Sequence, residues 1–320
     1  MFFQRLKTAA RDALRPAFKT VFWILRLMLP ITLVVAALNY VGAIEWLSVH
    51  LAPAFRGIGL SGEAVIVFLT SIVVNIYAAI AVIASLGFDF REVTILAVMC
   101  LIAHNLIVET AIQQKSGASA FSMVLLRIAA ALVAGMALNA ILPQAMDGRL
   151  TLAGIMPPDA PRSWGEVFSG WAVSIGRLSL RMALFITGLN VLQNILREFG
   201  VIELLTRPLR PLMKIFGLPE STSFLWIVAN CVGLAYGGAL LIREIEKGEV
   251  ARADARLLHS HIAISHSLLE DTLLFAAIGV GAFWLFVPRL ILATVVVWGQ
   301  RGWREGWRFA SMRKKSNFEA

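Results

Sequence analysis

Apolar residues do not alternate with polar ones along this chain; they come in long runs. Six of them, residues 21–44, 93–114, 121–142, 171–196, 256–276 and 282–298, approach the ~20 residues that a helix needs to cross a ~30 Å hydrocarbon core. Inside a bilayer no water satisfies the peptide groups, so each run is expected to be an α-helix. Two further apolar segments, 62–86 and 219–242, hold Asn75 and Asn230 near their centres. Each reads either as one span or as a re-entrant hairpin of two half-helices.

Loop charge chooses between these readings. If both segments crossed fully, with the basic N-terminus inside, Arg197, Arg207, Arg210 and Lys214 would fall outside, against the positive-inside tendency. If both are re-entrant, residues 45–62 and the near-neutral stretch 143–170 lie outside. Lys115, the Arg197–Lys214 cluster, the loop from Arg243 to Arg256 and the C-terminus then lie inside. The expected protein is all-α and polytopic, with six spans, two hairpins and both termini cytoplasmic. The first hairpin enters from outside and the second from inside.

The chain also repeats itself. An offset of 158 takes Gly42 to Gly200, Ile44-Glu45 to Ile202-Glu203, Pro53 to Pro211 and Gly59 to Gly217. Upstream, Leu25-Arg26 resembles Leu180-Arg181, and downstream Ile72–Asn75 resembles Ile227–Asn230. At an offset of 162, His104 meets His266, Glu109 meets Asp271, Thr110 meets Thr272 and Arg127 meets Arg289. Apolar helices share Leu and Val by chance; they do not readily share Gly, Pro, Asn, His, acid and Arg in one order. Each half holds an odd number of crossings, so the second copy is expected upside down, as in many secondary transporters. The expected organisation is an amphipathic helix at 1–20, a first repeat at 21–142, an extracytoplasmic linker at 143–170, an inverted second repeat at 171–298 and a basic cytoplasmic tail at 299–320.

Composition supports a membrane protein. Apolar residues make up 58% of the 320 and charged ones 15%, and mean hydropathy is +0.77. In a soluble protein the net charge of +9 would suggest nucleic acid. Here the basic residues sit in short loops and at both ends, so the expected partner is the lipid bilayer of a bacterial inner membrane, not nucleic acid. Residues 1–20 place Phe2, Phe3, Leu6, Ala10, Leu14 and Phe18 near one stripe and most basic residues off it, which suits a helix on an anionic surface; a plain extension of the first span is the other reading. Trp303 and Trp307 suit interfacial anchors. Cys100 and Cys231 both lie in apolar runs, so a disulfide framework is not expected. No phosphate-binding glycine loop and no catalytic domain is recognisable, so neither enzyme activity nor a cofactor is expected.

The candidate chemistry is polar and lies inside the apolar runs. Asn75 and Asn230 would mark the hairpin tips, where freed backbone groups can meet a small solute or ion; their plain role is to cap half-helices. His104, Asn105 and Glu109 share one span, and His266, Ser267, Glu270 and Asp271 share its counterpart. Asn105 and Glu109 are four apart, as are His266 and Glu270, and Ser267 and Asp271, so each pair occupies one helix face. Acids at this depth face a cavity or a partner, and Arg127, Arg289 and Arg181 are the available partners. His259 is expected nearer the membrane surface. Transition-metal binding is an alternative, but no tight ligand spacing exists, so such a site would have to assemble between helices.

A hairpin with a central Asn, followed by a span carrying His104-Asn105 and Glu109-Thr110, or His266-Ser267 and Glu270-Asp271-Thr272, resembles the nucleoside-recognition or Gate domain proteins. These include spore maturation proteins A and B. Related domains occur in concentrative nucleoside transporters and in the membrane part of the ferrous-iron transporter FeoB. The resemblance covers nearly the whole chain as two Gate units. It implies a secondary permease of a nucleoside-like solute or an ion, or else a membrane scaffold or assembly factor built on the same fold. The chain lacks the GTPase domain of FeoB. The sequence leaves substrate, coupling ion and self-association open.

Overall fold

The computed structural model describes residues 2–144, 146 and 163–316. Most of the linker expected at 143–170, the last residues of the tail expected at 299–320 and the side chain of Trp307 lie outside what is described. Among the described residues every regular element is helical. The first half runs α1 (Phe2–Tyr40), α2 (Ala43–Phe55), α3 (Gly62–Val73), α4 (Ile76–Leu86), α5 (Phe90–Ala103), α6 (Leu106–Lys115) and α7 (Ala120–Ile141). The second runs α8 (Trp164–Glu198), α9 (Val201–Ile215), α10 (Ser223–Cys231), α11 (Leu234–Glu246), α12 (Arg252–Ser265), α13 (Leu268–Ala276) and α14 (Ala282–Ser316). The order of long and short helices is the same in both. Even the single 3-10 turns recur, at Arg56–Ile58 before α3 and Glu220–Thr222 before α10. Gly42 and Gly200 turn the chain from the long helix into the next with φ of 74° and 61°, a conformation glycine adopts without strain.

Among the described residues five helical stretches are long and apolar enough to cross a membrane: α1, α5 with α6, α7, α8 and the first part of α14. The sixth expected span, 256–276, is present as α12 and α13. It carries His259, Ser260, His261, Ser265, His266, Ser267, Glu270 and Asp271, and it is shielded by protein. Every residue of α12 from Leu257 onward is buried. The span formed by α5 and α6 is 72% buried over its apolar window, against 22–39% for the other four. These two spans therefore form the centre, and the other long helices surround them. Phe22, Phe121, Leu184 and Phe283 are 62–77% exposed on the outside, which suits a lipid-facing surface.

Residues 2–20 do not form a separate surface helix. They continue straight into the first span through Pro16 and Pro30. A stripe of small residues, Ala9, Ala13 and Ala17, is buried, while Phe2, Phe3, Leu14 and Phe18 point outward. The small residues let α8 approach closely, and that contact outweighs the helix-breaking tendency of proline. The two helices are antiparallel. Arg5 pairs with Glu198 at 2.9 Å, Asn194 Nδ2 donates to the Ala9 carbonyl at 2.7 Å, Trp171 Nε1 donates to Thr32 Oγ1 at 3.1 Å, and the Tyr40 and Trp164 rings lie 4.6 Å apart.

The two ambiguous apolar segments each break in two. The arms α3 and α4 pack against one another, as do α10 and α11. In the first hairpin the break falls at Val74–Asn75, and Asn75 Oδ1 caps α4 by accepting from Ala78 N at 2.8 Å. In the second it falls at Val232–Gly233, not at Asn230. Gly233 takes φ of 109°, which L side chains rarely adopt, so the chain turns there. Asn230 stays inside α10, its Nδ2 donating to the Trp226 carbonyl at 2.8 Å.

Candidate functional site

The two central spans also break, which the apolar pattern did not announce. Between α5 and α6, His104 is extended and Asn105 takes φ of 48°. Between α12 and α13, His266 is extended and Ser267 takes φ of 52°. Among the described residues these are the non-glycine positions with positive φ. Asparagine tolerates that region by bonding locally; serine tolerates it less well.

A break frees backbone groups that lipid cannot satisfy. Each is taken up in the same way in both halves. The Asn105 amide donates to the Ser71 carbonyl in α3 at 2.8 Å, and the Ser267 amide donates to the Ala229 carbonyl in α10 at 3.0 Å. Each broken span is thereby tied to the first arm of its hairpin. Arg127 in α7 donates from Nε to the Ile102 carbonyl and from Nη2 to the His104 carbonyl, both at 2.7 Å. Arg289 in α14 does the same for Ile264 and His266, at 3.1 and 2.5 Å. Both arginines are completely buried.

The freed side chains converge. Glu109 Oε2 forms an ion pair with Arg127 Nη2 at 2.7 Å and stands 3.0 Å from His266 Nε2 of the other half. Glu109 Oε1 lies 3.3 Å from His104 Nε2. The two imidazole rings are 5.1 Å apart. One ligand atom from each of His104, Glu109 and His266 falls within 4.8 Å of the other two, so these residues form a candidate metal centre. Asp271 faces Arg289 at a longer 3.5 Å.

Not every expected residue joins this centre. Glu270 accepts from Tyr77 Oη at 2.7 Å and from Gln193 Nε2 at 3.3 Å, linking α13 to α4 and α8. Arg181 lies on an exposed face of α8 and meets no acid of the centre. Asn105 and Ser267 act through their backbones. His259 is buried within the protein: its Nε2 donates to the Ser116 carbonyl at 3.0 Å, just past the end of α6, and its own carbonyl accepts from Gln113 Nε2 at 3.3 Å. Tyr77, Gln193 and Gln113 escaped the sequence reading. Tyr77 follows Asn75 by two residues and is one of 3 tyrosines in the chain, which was the available signal.

Several buried polar atoms here have no hydrogen-bond partner, and they recur in both halves. They include Nη1 of Arg127 and Arg289, Oγ1 of Thr110 and Thr272, Asn75 Nδ2 and Asn230 Oδ1. Buried polar groups are ordinarily hydrogen-bonded, so these atoms call for an explanation such as an ordered water or ion.

The chain is similar to an uncharacterized membrane protein of Bacillus subtilis (strain 168), YvoD. The two are 28% identical over 303 residues, covering 95% of this chain and 97% of the relative. No protein-family model and no solved structure matches.

Proposed function

We propose that this membrane protein is a secondary permease of the bacterial inner membrane, built from two inverted Gate-like halves, with its site where the two central spans break. One observation carries the reading. Two buried helix breaks, one from each half, bring His104, His266, Glu109 and Arg127 into contact. Broken helices at a repeat interface are how many transporters present backbone and side-chain groups to a cargo. Ionisable groups are costly at such depth and mark ion or substrate paths. The antiparallel α1 and α8, which head the two halves, support the inversion. The cargo class is a nucleoside-like solute or an ion.

The second reading is a non-transporting scaffold or assembly factor. It is favoured by the arginines, since closing a helix break with two hydrogen bonds is also what a purely structural bundle needs. Reconstituted vesicles given nucleosides and divalent metals side by side separate the two. Saturable uptake of either class is expected. Correctly folded protein that moves neither class leaves the scaffold.

A further inference from the structure

We infer that His104, Glu109 and His266 form a three-ligand site for one divalent late first-row transition-metal ion. The inference rests on the same centre as the permease reading and names what that centre holds.

The argument begins with the imidazole tautomers. His104 Nδ1 faces the Cys100 and Leu101 carbonyls at 3.2 Å, and His266 Nδ1 faces the Ile262 carbonyl at 2.9 Å. A carbonyl only accepts, so Nδ1 carries the hydrogen in both rings. In the neutral rings each Nε2 then presents a lone pair. Both lone pairs point at Glu109, whose oxygens are also acceptors, at 3.3 and 3.0 Å. Three electron-pair donors therefore converge from three helices or helix ends, and His266 Nε2 is buried without a hydrogen-bond partner.

Such a convergence is relieved by a proton on one ring, which serves one contact, or by a cation that serves all of them. Protonating both rings would place two imidazolium ions 5.1 Å apart, fully buried, beside Arg127 and Arg289. A single metal ion engages all three donors at once. Bonds of about 2.0–2.1 Å in a tetrahedral site put neighbouring ligand atoms about 3.3 Å apart; His104 Nε2 stands at that distance from Glu109 Oε1 and His266 Nε2 near it from Oε2, with one ligand atom from each residue within 4.8 Å of the other two. Two imidazoles and one carboxylate suit a late transition metal, whereas calcium and magnesium take oxygen ligands. The remaining contacts resemble the outer shell of metal sites. Each ring donates Nδ1–H to a backbone carbonyl, and Arg127 pairs with the ligating carboxylate at Oε2. The carboxylates of Glu109, Glu270 and Asp271 outnumber the two buried guanidinium groups by one, which partly offsets the charge of the ion. Three protein ligands leave a fourth position open, as sites that exchange water or cargo do.

Co2+ titrated into the full-length protein in detergent tests this, read by visible absorption and by metal retained per chain after desalting. One Co2+ per chain is expected, with the intense absorption of four-coordinate cobalt, displaced by Zn2+. His104→Ala and His266→Ala should each weaken binding by more than the roughly 100-fold seen when an outer-shell partner is lost. His50→Ala, at an exposed histidine, should leave it unchanged. Should the alanine variants fold poorly, His104→Cys keeps a ligand and should bind Co2+ with an added thiolate-to-metal band. Absence of saturable Co2+ binding in the unaltered protein, or undiminished affinity in both alanine variants, overturns the inference. Vesicle uptake is scored separately. Nucleoside uptake by protein that does not bind Co2+ overturns this inference and spares the permease reading; one Co2+ per chain without uptake of any solute supports the site and overturns that reading.

Discussion

Arg127 and Arg289 make the same two backbone hydrogen bonds in their respective halves but engage their acids unequally, at 2.7 Å on Glu109 and 3.5 Å on Asp271. Removing one partner of a fully buried ion pair costs about 3–5 kcal/mol, because it strands the other charge. Arg127→Met should therefore destabilise the protein by about that much, and Glu109→Gln added to it should recover part of the loss. Arg289→Met should couple more weakly to Asp271→Asn. Unfolding of purified protein in detergent, run as two double-mutant cycles, gives both coupling energies. Equal couplings would remove the asymmetry from the argument.

The helix breaks make a second prediction. Ser267 holds φ of 52°, where a side chain costs roughly 1–2 kcal/mol and glycine costs little. Ser267→Gly should raise the unfolding midpoint by relieving that cost, whereas Ser267→Val should lower stability, because a β-branched side chain fits the left-handed region worse than serine does. Were valine tolerated without loss, the chain would not be held in the left-handed region at this break.

Tyr77 supplies a third. Its hydroxyl is bonded to Glu270 in the opposite half of the chain, and hydrogen bonds to charged groups contribute about 1.5–3 kcal/mol. Tyr77→Phe keeps the ring and removes only that bond. It should lower stability within this range, and Glu270→Gln should make the Tyr77→Phe change milder. Thermal unfolding followed by far-ultraviolet circular dichroism checks both; an unshifted Tyr77→Phe midpoint would show that the bond contributes nothing.

Much of the architecture was legible because lipid simplifies the code. Runs of apolar residues mark helices, and the internal matches at Gly42 and Gly200 fall on the same backbone turn. His104, Glu109, Arg127 and their counterparts were legible as ionisable residues in apolar surroundings, and the structure brings His104, His266, Glu109 and Arg127 together. The breaks at Asn105 and Ser267 were not legible. Neither carries a proline or glycine, and the turn is stabilised from outside the span, by Ser71, Ala229 and the two arginines. The second hairpin misled for a related reason. Asn230 looks like Asn75, but Gly233, three residues later, offers the cheaper place to turn. For residues 1–20 the sequence offered two readings, a surface helix or an extension of the first span, and could not choose because the surface that decides, α8, is more than a hundred residues away.

The last prediction concerns orientation. The antiparallel pairing of α1 with α8 gathers charge of one sign at one end of the pair. The contact between Arg5 and Glu198 places the start of α1 beside the end of α8. Arg5, Lys7 and Arg11 therefore share an end with Arg197 and with the start of α9, which carries Arg207, Arg210 and Lys214. The opposite end holds Tyr40, Trp164, Glu45 and Glu166, aromatic or acidic. Lysine and arginine near span ends set orientation toward the cytoplasm, and aromatic residues favour the interface. The Arg5 end should thus be cytoplasmic and the Trp164 end extracytoplasmic. Single cysteines introduced by Ser163→Cys and Lys247→Cys, in a background of Cys100→Ala and Cys231→Ala, test the two sides with a membrane-impermeant maleimide on intact spheroplasts. Position 163 should label from outside, and position 247 only after the membrane is opened. The reverse pattern would invert the protein in the membrane. Labelling of both positions from outside would mean that α10 and α11 are not a hairpin returning to its own side.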